Sequence, residues 1–189
     1  CGWSQWEISG DGWRFDSLPA YAAVFNGRNT GTYAWIDFSY TDSSVVLEVE
    51  DIDVSNLSSP TLLFDFYSYL DTFSTGPINI LNVETWDGIS WVIQNTYQVN
   101  ISGWHTYNVD LSNTTYSTNI VKLRFRGESG GSGVDYFNDL LLDDVKIENA
   151  GCTDPLACNY DSLATIDDTS CNYFTILYDT VIVNNSYNW

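Results

Sequence analysis

Basic residues are scarce: six Lys and Arg face 25 Asp and Glu over 189 residues, a formal net charge of −19. That charge repels phosphate backbones and anionic membrane surfaces, which excludes nucleic acid as a partner class. A salty, calcium-rich medium screens the self-repulsion it imposes. Histidine is rarer still. His105 stands alone, and no Gly-x-Ser-x-Gly, His-Glu-x-x-His or catalytic-cysteine signature surrounds it, so the chain reads as a non-enzyme with His105 a structural or rim residue. No run of 18 apolar residues occurs, and the opening CGWSQWEISG is neither basic nor continuously apolar. Neither a membrane span nor a signal peptide is therefore expected, and a mature, exported fragment of something larger is the simplest account. Helix-period segments and internal repeats are also missing. The four cysteines include no Cys-x-x-Cys pair, which fits an oxidising, extracellular compartment and two disulfides with three possible connectivities.

What is abundant is aromatic: 16% of residues, with eight Trp and thirteen Tyr. Short Val/Ile/Tyr/Phe runs between Gly, Asn, Asp and Ser argue for an all-β fold. A strand is expected at Thr32 to Phe38, and Val45, Leu47 and Val49 alternate with Val46, Glu48 and Glu50. Leu62, Phe64 and Phe66 share a face after the break at Pro60. Asp87-Gly88, between Trp86 and Trp91, signals a hairpin. Tyr107, Val109 and Leu111 read as inward in a strand from Trp104. Val121, Leu123 and Phe125 alternate with Lys122, Arg124 and Arg126, so one face is apolar and the other carries half of the basic residues. Leu140 to Glu148 closes the series. Roughly nine or ten strands imply a two-sheet sandwich.

The most distinctive stretch is GCTDPLACNYDSLATIDDTSC, Gly151 to Cys171, with three of the four cysteines. So few large apolar residues cannot fix a fold, which leaves order to cross-links. Asp154, Asn159, Asp161, Asp167 and Asp168 offer hard oxygen ligands at the density calcium needs; the alternative is a solvated, disulfide-bonded loop. Zinc is disfavoured by the wide cysteine spacing and the lack of histidine.

This stretch resembles the thrombospondin type 3-like acidic cysteine module of large Bacteroidetes surface proteins, with Thr169 where the module usually has glycine. The resemblance implies a Cys152–Cys171 disulfide, which leaves Cys1 for Cys158. Cys1-Gly2-Trp3, Asp11-Gly12-Trp13, Gly31-Thr32-Tyr33, Phe64-x-Phe66-Tyr67, Gly103-Trp104 and Leu142-Asp143-Asp144-Val145-x-Ile147 follow the order found in MAM-like domains, the jelly rolls of extracellular adhesion proteins. The cysteine expected near Leu62 in a vertebrate-type core is absent. Together the resemblances imply a MAM-like sandwich over residues 1–149 and a calcium-binding joint over 150–172; the strand-like tail over 173–189 either folds back onto a sheet edge or, as in multi-module surface proteins, starts a following domain.

Further sites come from the residues. Strict alternation places Asp143 on the inward face with Val145 and Ile147, which calls for a neutralising ion with Glu7, Asp11 and Asp16 as its other ligands, or for backbone N–H donors. The Lys122, Arg124 and Arg126 stripe is expected to pair with neighbouring acids, with an acidic-polysaccharide dock as the alternative. Trp35, Trp86, Trp91, Trp104, Tyr67 and Tyr69 are either core or a sugar-stacking platform, for which Trp35, Trp86, Trp91 and Tyr67 are the candidates. The expected function is a calcium-stabilised adhesion and spacing module of a bacterial surface protein, with neighbouring modules, a glycan or another surface protein as partners. The alternative is a carbohydrate-binding module of an exported protein that acts on polysaccharide.

Overall fold

The computed structural model describes residues 3–7, 12–15, 33–38, 43–70, 77–131 and 138–174. These form twelve strands and no helix: β1 (Trp3–Glu7), β2 (Ala34–Ile36), β3 (Ser44–Val49), β4 (Ile52–Asp53), β5 (Pro60–Ser68), β6 (Ile80–Trp86), β7 (Trp91–Tyr97), β8 (Ile101–Asp110), β9 (Ile120–Val121), β10 (Leu123–Glu128), β11 (Leu140–Gly151) and β12 (Ile166–Asp167). One antiparallel sheet runs β1-β3-β10-β6-β7. The other runs β12-β11-β5-β8, with β2 also on β11, while β4 and β9 form a small ladder. The result is a two-sheet jelly-roll sandwich.

The alternating positions do what their chemistry requires. Val45, Leu47, Leu81, Val83, Leu123 and Phe125 from one sheet meet Leu62, Phe64, Phe66, Val109, Leu140 and Leu142 from the other, all at most 4% exposed. Phe64 bridges the layers: its ring centroid lies 5.2 Å from Phe125 and 5.6 Å from Tyr97, both edge-to-face. Gly127 permits this closeness, since a Cβ there would come within 2.5 Å of the Ile36 Cδ1. A polar staple ties the strand ends. Asn138, fully buried, accepts from the Asn79 N–H at 2.7 Å and donates to the Ser68 hydroxyl at 3.0 Å.

Three sequence expectations change. Strand β1, absent from the expected series, which begins at Thr32, pairs with β3 from Trp3↔Val49 to Glu7↔Val45. Strand β11 does not alternate strictly, because Asp143 stands opposite Asp65 while Ile147 stands opposite the buried Leu62. Between them Asp144 and Val145 together oppose one residue, a β-bulge in which Asp144 takes φ 48°. The bulge switches the parity, so Asp143 leaves the core-facing row that Ile147 keeps. Thirdly, the outer face of the second sheet carries an apolar cluster of its own, Tyr33, Trp35, Tyr67 and Leu141, with Tyr69 and Trp104 packed against it.

Candidate functional site

Of the four aromatic candidates, Trp35 and Tyr67 are 0% and 1% exposed. They belong to that second cluster and present no ring face to a sugar, which corrects the four-residue platform. Trp86 and Trp91 are different. They face each other across the β6–β7 hairpin on the outer side of the first sheet, half-buried, with ring centroids 5.6 Å apart at 63°. The hairpin positions them: Gly88 takes φ 99°, and Asp87 Oδ1 accepts from the N–H groups of Ile89 and Ser90, both at 2.7 Å.

Beside them lies the basic stripe, and it is paired with acids as expected. Lys122 meets Glu48 at 2.7 Å, while Arg124 and Arg126 share Glu84 at 2.5 Å and 2.6 Å. Arg126 also pairs with Glu128, which accepts from Asn82. The Arg124 guanidinium lies over the Trp91 ring, 4.2 Å from its centroid, and the Lys122 ammonium lies 5.7 Å away. Glu84 beneath them is 2% exposed. Its role was not visible in the sequence, where it reads as one more solvated strand acid.

In the acidic stretch, Cys152 and Cys171 form a disulfide, which fits an oxidising compartment. Cys158 is exposed and unbonded among the described residues, and Cys1 lies outside them. Each aspartate fixes a turn. One carboxylate oxygen of Asp154, Asp161, Asp167 and Asp168 accepts, at 2.9 Å, from the N–H two residues on, at Leu156, Leu163, Thr169 and Ser170. Asn159 closes the loop by accepting from the Asn172 N–H at 2.7 Å and donating to the Ser170 carbonyl at 2.8 Å. Among the described residues no three His, Cys, Asp or Glu side chains gather as a metal shell. The second oxygens divide. That of Asp154 accepts from the Tyr173 hydroxyl and that of Asp161 from Ser58 and Asn149, and the Asp168 carboxylate also accepts from the Ser170 hydroxyl, whereas the second oxygen of Asp167 meets no protein donor among the described residues. Asp143 and Asp144 line a cavity of about 190 Å³ with Trp3, Phe15 and Tyr33. Glu7 ends β1, and Asp11 and Asp16 lie outside the described residues, as does the tail beyond Phe174.

These hydrogen bonds pull carboxyl pKa values down. The Tyr173 hydroxyl lowers Asp154, the Leu163 N–H lowers Asp161, and the Ser170 hydroxyl lowers Asp168. A depressed folded value contributes stability above the unfolded value of about 3.9, and the contribution disappears as pH falls through the folded value. The loop is therefore expected to lose amide protection below about pH 4 while the sandwich keeps its own, as measured by hydrogen exchange.

Thr169 has φ 63°, a left-handed conformation that is unfavourable for a β-branched residue and open to glycine. Thr169→Gly is expected to stabilise the loop by up to about 1 kcal/mol in a denaturant melt, since relieving the strain outweighs the added unfolded-state freedom.

The chain matches no protein-family model, and no curated protein is detectably similar to it. Solved structures share its fold. The K1 cleaved adhesin domain of Lys-gingipain from Porphyromonas gingivalis W83 superimposes with a TM-score of 0.55 at 16% identity, covering 79% of this chain and 91% of that one. The K2 cleaved adhesin domain of Lys-gingipain gives 0.49 at 14%, covering 77% and 88%. TmCBM61 in complex with β-1,4-galactotriose gives 0.45 at 11%, covering 78% and 88%. At these identities the first likeness is one of fold, and it is with an adhesin domain.

Proposed function

We propose that this chain is a non-catalytic extracellular module for adhesion and spacing in a surface protein, a MAM-like sandwich followed by an acidic, thrombospondin type 3-like joint. The observation that supports it best is how the disulfide-closed loop sits on the sandwich. β11 continues into the loop, and β12 returns parallel to its last residues, Ala150 and Gly151. Asn149, 1% exposed, accepts from the Ser59 N–H at 2.8 Å and donates to Asp161 at 3.1 Å, and its carbonyl accepts from the Thr165 N–H at 2.9 Å. A flexible linker has no such anchor. A loop held this way transmits orientation and load to whatever follows it. NMR relaxation tests the reading: residues 152–171 should share the rotational correlation time of the sandwich, and independent tumbling would sink the spacing role.

Calcium joins the proposal through the second oxygen of Asp167 and the adjacent, exposed Asp168 carboxylate, which would hold it weakly and neutralise adjacent charge. For a dissociation constant near 1 mM, as in extracellular modules, a tenfold excess contributes about 1.4 kcal/mol. The loop's melting transition is then expected to rise by several degrees in roughly 10 mM calcium over chelator. Asp167→Asn with Asp168→Asn should abolish the rise, and identical curves for the parent protein would remove calcium from the account.

The half-buried Trp86–Trp91 pair favours a second reading, a carbohydrate-binding module. Selective glycan-array binding lost in Trp86→Ala, with the melting temperature kept, would carry it.

A further inference from the structure

We propose that the outer face of β10, β6 and β7 binds a uronate-bearing polysaccharide, with the free edge of Arg124 holding the sugar carboxylate. The inference rests on reading the chain as a binding module and names the chemistry of its ligand. Two contacts fix the Arg124 guanidinium: its Cζ lies over the Trp91 ring, and its Nε donates to Glu84 at 2.5 Å. Arg126 is spent, giving Nε and Nη2 to Glu84 and Nη1 to Glu128. Arg124 gives only Nε, and among the described residues its two Nη groups meet no acceptor. A guanidinium held rigid, with its outer N–H edge unspent, is preorganised for two parallel hydrogen bonds to a carboxylate.

The surroundings select a sugar acid over a peptide acid. Trp86 is half-buried beside the stack, and Ile93, 50% exposed, stands opposite Glu84 on β7. A uronosyl ring brings an apolar C–H face and a carboxylate together, and this patch offers apolar surface and a guanidinium edge together. Charge permits it. Lys122, Arg124 and Arg126 balance Glu48, Glu84 and Glu128 in the band, so the remaining 3 basic and 22 acidic residues carry the whole −19. That excess repels a polyanion, but at physiological ionic strength screening confines the repulsion to about 8 Å. Binding is accordingly short-ranged and only weakly salt-dependent, unlike that of a basic protein.

Calorimetric titration of the purified chain with oligogalacturonate, neutral xylo-oligosaccharide and polyglutamate tests the assignment. Oligogalacturonate should bind and the other two should not. Affinity should fall at least tenfold in Arg124→Gln and also in Arg124→Lys, which keeps the charge and loses the fork; whichever variant retains the parent melting curve is decisive. Absent oligogalacturonate binding, binding unchanged in the folded variant, or equal polyglutamate binding each overturns the proposal. If only the neutral glycan binds, the binding-module reading stands and the uronate assignment falls.

Discussion

Glu84→Gln is expected to be the most destabilising single exchange on the surface of the first sheet, lowering stability by about 3 kcal/mol. The glutamate side chain is 3% exposed, and the two guanidiniums that converge on it are 19% and 20% exposed. Removing its charge leaves Arg124 and Arg126 side by side with nothing between them but a neutral amide, largely out of water. Breaking a buried pair on one side costs about 3–5 kcal/mol, and the partial exposure of the arginines points to the lower end. For a domain of this size the midpoint should fall by roughly 5–12 °C in calorimetry. Glu48→Gln is the control. Glu48 is 15% and its single partner Lys122 33% exposed, so this pair is better solvated than Glu84 with its two arginines and its loss is expected to cost less, about 1 kcal/mol. Equal effects of the two substitutions would refute the buried-carboxylate account. The triple exchange Glu84→Leu, Arg124→Met and Arg126→Met should recover most of the loss, because replacing a whole buried ion cluster by apolar groups is commonly neutral or better. It would also remove the carboxylate-binding edge, separating stability from binding.

Glu84 shows where sequence reading stopped. The alternation in Val121 to Arg126 is local, so the apolar and basic faces of β10 were legible, as were the inward rows of β3, β5 and β8. What pairs with Glu84 comes from β10, some 40 residues on, where Arg124 is itself held over the Trp91 ring from across a hairpin, and no local period encodes that meeting. Trp35 and Tyr67 failed as platform residues for a related reason: alternation names two faces of a strand, but both faces of the second sheet are covered where they lie. Asp143 was misplaced by a single inserted residue, since a bulge flips every assignment beyond it. In the acidic stretch the difficulty is chemical. An aspartate that accepts from the N–H two residues on and one that ligates calcium occupy similar Asp-rich sequence, and only the fate of the second oxygen separates them.

Replacing Cys152 and Cys171 together by serine is expected to unfold the loop while leaving the sandwich intact. The pair closes a span of 19 residues, and for about that length the lost chain-entropy constraint is worth roughly 3 kcal/mol. The loop has little to set against it. Among residues 152–171 only Cys152 and Ala157 are buried, so the remaining order rests on exposed aspartate turns and on the anchor at Asn149. Exposed hydrogen bonds of that kind contribute little each, and ordering every backbone residue costs about 1–2 kcal/mol. The sandwich depends on none of this, because its core lies between the two sheets and its last fully packed residues, Leu140 and Leu142, precede the loop. Hydrogen exchange should therefore show residues 152–171 exchanging at near-unfolded rates beside normal protection in β3, β5, β6 and β10. The double exchange is the right one, since a single serine would leave a thiol free to pair with the exposed Cys158. Retained protection across 152–171 would mean that the turns and the Asn149 anchor suffice, and the cross-link would lose its place as the source of order in the loop.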